Sequence, residues 1–307
     1  MRTKIFSLLF CVTLLAKAQQ DPQYNMYQFN QLVINPAFAG ARDVMQITAA
    51  HRQQWLGFPG APVTSVLSLH APVFNKKLGL GLTIVNDEIG PRHVMSAFGN
   101  VAYILKISES MKLSFGVNAG YNRYQFNFTD VKFHQGESAA ELYQNVTPGS
   151  LDINSGLFLR GHSYFFGVSA THLNSPNVYT YEPVVPGGSN FSYRLRTHLF
   201  VTAGKSFQLN DNVVFAPTVL YKQLGTINSF DVNVNFMLFK KLWLGGFYRH
   251  GFGVGGLMQY FVTNRLKVGY SYDTGLNQSV RLGSSHEIML GFDLIPSDLK
   301  FINPRFL

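Results

Sequence analysis

The stretch Lys112-Leu113-Ser114-Phe115-Gly116-Val117-Asn118-Ala119-Gly120-Tyr121-Asn122 decides the fold. From Leu113 onward its odd positions are apolar or aromatic, and its even positions are Ser, Gly or Asn. Successive side chains of a strand point to opposite faces, so this is a strand with one greasy face and one polar or small face. The rhythm recurs outward along the chain. Leu78, Leu80, Leu82 and Ile84 alternate with Gly79, Gly81 and Thr83; Val232, Val234, Phe236 and Leu238 alternate with Asp231, Asn233 and Asn235. Leu266, Val268, Tyr270 and Tyr272 alternate with Lys267, Gly269, Ser271 and Asp273. Period two over about ten residues suits a strand that crosses a bilayer. A soluble sandwich gives the same alternation, so strand number and loop length must separate the two.

Strands are predicted near 44–54, 63–73, 78–87, 94–107, 111–124, 152–161, 164–172, 194–207, 213–223, 229–239, 242–249, 253–261, 266–273 and 285–292. That is 14, and bacterial single-chain barrels have an even number. Short connections at 75–77, 108–110, 162–163, 208–212, 240–241 and 263–264 fall on one side. Long ones, including 125–151 and 173–193, fall on the other, the asymmetry of periplasmic turns and extracellular loops. The expectation is an all-β fold, a transmembrane antiparallel β-barrel of about 14 strands. Leu242–Val262 is apolar enough to suggest a membrane helix, but its glycines and the central Arg249-His250 favour two strands and a turn.

Composition agrees. Only 13% of the 307 residues are charged, against about 25% in a soluble globular domain, while 46% are hydrophobic and 14% aromatic, which excludes a disordered chain. Arg2 and Lys4 precede the apolar run Ile5–Leu15, and Ala16-Lys17-Ala18 has the small-x-small pattern of a signal-peptide cleavage site. The expected division is a signal peptide at 1–18, a plug-like segment at 19–43, the barrel at 44–292 and a C-terminal periplasmic tail at 293–307. Cleavage would remove Cys11, the one cysteine, and with it any disulfide or thiol chemistry.

Catalytic and metal signatures are missing. There is no His-Glu-x-x-His, Cys-x-x-Cys or Gly-x-Ser-x-Gly, and no His pair at ligand spacing. Ser285-His286-Glu287 cannot form a triad alone, because neighbouring strand residues face opposite ways. No cofactor, metal or enzymatic activity is expected. Net basic charge is no nucleic-acid footprint, since Lys76, Lys77, Lys240 and Lys241 lie in short turns, where they suit anionic outer-membrane lipid headgroups.

Polar groups gather instead at the loop ends of strands. Arg52, Asp87, Arg249, Asp273 and Glu287 fall near the extracellular rim and mostly face the lumen, either as an ordinary lumen ion network or as a rim that holds loops for a partner. Trp55, the turn from Gly57 through Gly60 to Pro62, Tyr248, Arg249 and His286 are expected to come together there, because closure sets the last strand beside the first. Trp and Tyr there serve either a binding surface or the aromatic girdle. Gly79, Gly81, Gly116, Gly120, Gly204 and Gly269 thin the inner wall. The expected occupant is the polar, aromatic segment Asp21–Gly40, with Tyr24, Phe29, Asn35 and Pro36 as plug residues.

Ordered motifs resemble those of a known family. Gln20-Asp21-Pro22-Gln23-Tyr24, Phe29-Asn30-Gln31, Asn35-Pro36-Ala37-Phe38-Ala39-Gly40, Arg52-Gln53-Gln54-Trp55 and Gly60-Ala61-Pro62-Val63-Thr64 are similar to the opening of PorP/SprF type IX secretion membrane proteins. Asn86-Asp87-Glu88-Ile89-Gly90, Tyr248-Arg249, Gly269-Tyr270-Ser271-Tyr272-Asp273 and His286-Glu287-Ile288 resemble its later motifs. The resemblance implies a non-enzymatic outer-membrane barrel of type IX secretion or gliding. Its implied partners are a secreted surface protein with a C-terminal sorting domain, such as an adhesin, or periplasmic components of the machinery. The alternative is a porin or transporter for small or hydrophobic solutes.

Overall fold

A computed structural model describes residues 21–129, 144–181, 191–276 and 282–295. The expected signal peptide and most of the expected C-terminal tail lie outside them. The strands are β1 (Met45–Gln53), β2 (Val63–Val73), β3 (Leu78–Ile89), β4 (Arg92–Lys106), β5 (Lys112–Phe126), β6 (Gly149–Arg160), β7 (Tyr164–Thr171), β8 (Asn177–Tyr181) and β9 (Phe191–Arg194). They continue with β10 (His198–Lys205), β11 (Phe207–Asn210), β12 (Val213–Leu224), β13 (Ile227–Leu238), β14 (Leu242–Arg249), β15 (Gly253–Phe261), β16 (Leu266–Gly275) and β17 (Ser284–Leu294).

Each barrel strand pairs antiparallel with its neighbours, and β17 closes on β1, with Arg52 opposite Glu287 and Met45 opposite Leu294. β10 and β11 are one strand interrupted at Ser206, since Gly204 opposite Thr218 and Phe207 opposite Phe215 keep a single register on β12. With β8 and β9 forming a separate hairpin, the closed barrel has 14 strands. Closure leaves the barrel sheet with no open edge, as a bilayer demands. The Leu242–Phe261 region is a hairpin, not a helix.

The alternation that identified the strands also sets inside from outside. On β5 the outer residues Phe115, Val117 and Tyr121 are about half exposed, while the inner Ser114, Asn118 and Asn122 are buried. Asn154 Nδ2 donates to Asn118 Oδ1 at 2.7 Å and Asn118 Nδ2 to Asn100 Oδ1 at 2.9 Å, an amide ladder across the inner faces of β4, β5 and β6. All the connections at one end are short, but the other end is not uniformly long. Tight turns close there at Gly90, Gly225 and Gly251, each with positive φ, a backbone conformation that glycine adopts without steric cost. These departures come from local turn chemistry and leave the overall asymmetry of short turns and longer loops intact.

Residues 21–44 run down the lumen from the loop end to the turn end. Asn35 caps the last of three 3-10 turns, accepting from the Ala37 N–H at 2.9 Å, with Pro36 in the first turn position where its missing N–H costs nothing. Met26, Leu32, Ala37 and Phe38 are buried, and Phe38 meets Phe158 edge to face. At the turn end Asp43 lies among Lys76, Lys112 and Arg160.

Two wall glycines give the segment its room. A Cβ on Gly79 would sit 1.9 Å from the Ala39 carbonyl oxygen, and one on Gly116 would sit 2.2 Å from the Ala37 nitrogen. Gly116→Val is therefore expected to destabilise the barrel by about 1–3 kcal/mol, as overpacking does. Gly99→Val, with nothing within 4 Å of the added carbon, serves as the control. Urea unfolding of both variants checks it; equal stability would mean that the segment is not seated as described.

Candidate functional site

Four polar clusters at the loop end of the lumen surround the start of the N-terminal segment. Pairing register builds the first: Arg52 on β1 stands opposite Glu287 on β17, which stands opposite Ser271 on β16, two residues from Asp273. Arg52 Nη1 lies 2.8 Å from Asp273 Oδ2 and 3.7 Å from Glu287 Oε2. Glu287 also accepts from the backbone N–H of Asn25 at 2.7 Å and of Met26 at 3.3 Å, while Asn25 Nδ2 donates to Asp273 at 2.5 Å. The two carboxylates thus serve an arginine of the wall and the amides of the segment together.

Asp231 and Arg249 face each other across β13 and β14, joined by a 3.0 Å bond, and Lys222 reaches Asp231 at 3.2 Å. Arg249 then grips the segment, donating to Gln23 Oε1 at 2.9 Å and to the Tyr24 carbonyl at 3.1 Å. Lower down, Tyr27 accepts from Asn233 at 2.7 Å and Phe29 packs near Trp243.

In the third cluster, Asp87 accepts from Thr64 at 2.6 Å and from Arg92 at 2.8 Å, and Arg92 also donates to the Tyr193 hydroxyl at 2.9 Å. Tyr193 belongs to the aromatic hairpin β8–β9, which covers Tyr124 and Phe126 at the loop end.

The fourth cluster centres on His172, just past β7. Its Nδ1 lies 2.6 Å from Asp152 Oδ2 and its Nε2 lies 2.7 Å from Asp21 Oδ1. Burial disfavours a charged imidazole, but the Asp21 and Asp152 carboxylates outweigh it and push the pKa up to about 10. Burial likewise opposes the Asp21 charge, and the field of His172 overcomes it, holding that carboxyl well below its usual range.

These motifs stand in their spatial context. A model of the family described as type IX secretion system membrane protein PorP/SprF matches residues 16–292. The chain belongs to this PorP/SprF family. A search among curated proteins finds no match. Among solved structures, the chain is similar to the Pseudomonas putida toluene transporter TodX, with 10% identity, coverage of 85% of this chain and 92% of that one, and TM-score 0.50. It is also similar to a TodX deletion mutant described as a monoaromatic hydrocarbon channel, with 9% identity, coverage of 89% and 94%, and TM-score 0.51. At such identities the likeness is one of fold, an outer-membrane β-barrel.

In this PorP/SprF barrel the residues expected at one rim divide between two surfaces. Arg52, Asp87, Arg249, Asp273 and Glu287 are buried, and all but Asp87 bond the N-terminal segment or a residue that does. Their inward partner is the chain itself, since alternation places them on the lumen face under that segment. Tyr248 points outward, its ring near Phe230, and does not join Arg249. His286 lies outside too, bonded to the Tyr270 hydroxyl at 2.7 Å, while Ser285 and Glu287 point in.

Trp55 does cross the seam. Its N–H donates to Ser285 Oγ at 3.3 Å, and its ring stacks on Phe252. The turn that follows is pinned by Gly90 N–H to the Gly60 carbonyl and by Gln54 N–H to the Pro62 carbonyl, both 2.9 Å, and leaves Leu56 56% and Phe58 48% exposed. Asp21, Asn25, Asp152, His172, His198, Lys222 and Asp231 escaped the sequence reading as site residues. Asp231 carried a signal in its inward strand position, whereas the two histidines sit at loop feet with no shared periodicity.

Proposed function

We propose that this outer-membrane barrel is a docking and anchoring protein of the type IX machinery, holding a secreted surface protein such as an adhesin with a C-terminal sorting domain, or a periplasmic component. The observation that carries this reading is the use of the lumen. Charged side chains that would line a solute path are bound to residues 21–28 instead, so the surfaces left for recognition are the two ends. At the loop end, the exposed Leu56 and Phe58, flanked by Trp55 and Phe252, form the apolar surface a partner would cover, with Gly60 and Pro62 shaping it, and Tyr248 and His286 on the adjoining outer face. Buried Arg52, Arg249, Asp273 and Glu287 act behind that surface by fixing the segment beneath it, and Asp87 acts by holding Arg92, which bonds Tyr193 of the β8–β9 hairpin. Export through cleavage after Ala18 belongs to the same proposal.

The solute-transporter reading draws on the fold likeness to TodX and on a cavity of about 120 Å³ between the segment and β3–β7. Affinity purification of a tagged chain from native membranes, with mass spectrometry, identifies the partner. Leu56→Ser with Phe58→Ser is then expected to leave the heat-modifiable barrel band unchanged and to weaken retention of that partner about tenfold or more, the equivalent of about 1.4 kcal/mol. Undiminished retention would move the docking surface to the turn end or the longer loops.

A further inference from the structure

Three side chains that no linear motif connects meet where the N-terminal segment enters the barrel. His172 directly follows β7 and His198 opens β10, so the two histidines stand at the feet of the connection that carries β8 and β9. Asp21 lies between them, with Oδ1 2.7 Å from His172 Nε2 and Oδ2 3.4 Å from His198 Nδ1. One donor atom from each residue falls within 4.8 Å of the other two. We propose that Asp21, His172 and His198 form a transition-metal site, taking zinc or a similar divalent ion that prefers nitrogen and oxygen donors.

The donor set suits that ion, because imidazole and carboxylate are its common protein ligands and three of them leave a fourth position for water. The outer shell is built as well. Asp152, fully buried, holds His172 Nδ1 at 2.6 Å and so turns Nε2 toward Asp21, the carboxylate–histidine–metal arrangement that orients a ligand ring. His198 Nδ1 donates to the Arg196 carbonyl at 3.1 Å and lies 3.4 Å from Asp21 Oδ2, while its buried Nε2 has no partner. Metal uptake displaces the protons that the two imidazoles direct at Asp21, because a ligating ring nitrogen must be unprotonated.

The spacing also fits. Metal bonds of about 2.0–2.2 Å in a tetrahedral site put neighbouring donors about 3.3–3.5 Å apart. The Asp21–His198 separation of 3.4 Å already has this value, and the Asp21–His172 contact of 2.7 Å would open by about 0.6–0.8 Å. Asp21 is 24% exposed, and the cavity of about 120 Å³ borders Asp21, Asp152 and His172, giving the ion a way in. An ion there would clamp the start of the lumen segment to both feet of the β7–β10 connection.

The test uses the full mature chain, purified from membranes with a Strep tag, stripped with chelator and titrated with zinc chloride by calorimetry, with metal content measured alongside. One ion per chain is expected. His198→Ala should weaken binding at least about tenfold, and Asp152→Asn, which touches only the outer shell, by about 10–100-fold. Cobalt should give a visible band in the parent that His198→Ala loses. The proposal is overturned if the stripped protein takes up no stoichiometric zinc, or if His198→Ala binds as tightly as the parent. Should His172→Gln fail to assemble, His198→Ala still decides, because it leaves the Asp21–His172–Asp152 chain in place.

Discussion

Deleting Asp21 to Gly40 is expected to turn a barrel that conducts little in planar bilayers into one whose single-channel conductance is at least about tenfold larger. Eight strands make a barrel that side chains alone can fill, and 14 make a wider one that needs another occupant. Here the occupant is the N-terminal segment, with Met26, Leu32, Ala37 and Phe38 buried against the wall. The wall it would leave behind is hydrophilic. The Asn100–Asn118–Asn154 ladder and inward residues such as Thr48, Ser68 and Thr218 suit water, so the emptied lumen should fill with electrolyte rather than collapse. Gly79 and Gly116, now facing nothing, would widen it further. Heat-modifiable migration on gels confirms that the deleted chain still closes. Large stable channels in the intact protein would favour solute transport, and low conductance after deletion would mean that the lumen is filled by something else.

Much of this fold is legible because membrane strands expose their period directly. Lipid on one side and a polar interior on the other force every second residue to the same character, so β2, β14 and β15 can be bounded from sequence alone. The eighth predicted barrel strand, 194–207, is less well bounded. Arg194 ends β9, and the barrel strand begins only at His198, because the β8–β9 hairpin pairs with itself beyond the barrel and obeys no inside–outside rule. The site was legible in part for the same reason. Alternation turns Arg52, Arg249, Asp273 and Glu287 inward, but nothing local says what they meet. The contact between Asn25 and Glu287 spans 262 residues, and the meeting of Asp21, His172 and His198 depends on how a coil threads a closed sheet. Periodicity reports the face a residue occupies; only closure and threading supply its neighbour.

Replacing Arg52 by Met is expected to destabilise the folded barrel by about 3–5 kcal/mol, the usual cost of removing one partner from a buried ion group. Arg52 is 2% exposed and stands over Asp273 and Glu287, which are 0% and 1% exposed. Without the guanidinium, two carboxylates remain in a space that water reaches poorly, and both hold Asn25, so the start of the segment should loosen with them. An arginine that served only an external partner would show neither effect. The triple variant Arg52→Met, Asp273→Asn, Glu287→Gln separates charge from shape. It removes all three formal charges while keeping oxygen atoms that accept from Asn25, so it should recover most of the loss. Urea unfolding followed by fluorescence of Trp55 and Trp243 gives the stabilities, and protease cleavage within residues 21–28 reports the loosening. A cost below about 1 kcal/mol for Arg52→Met would mean that the cluster behaves as a solvated surface group. A triple variant as unstable as the single one would mean that Arg52 matters through packing of its side chain rather than through its charge.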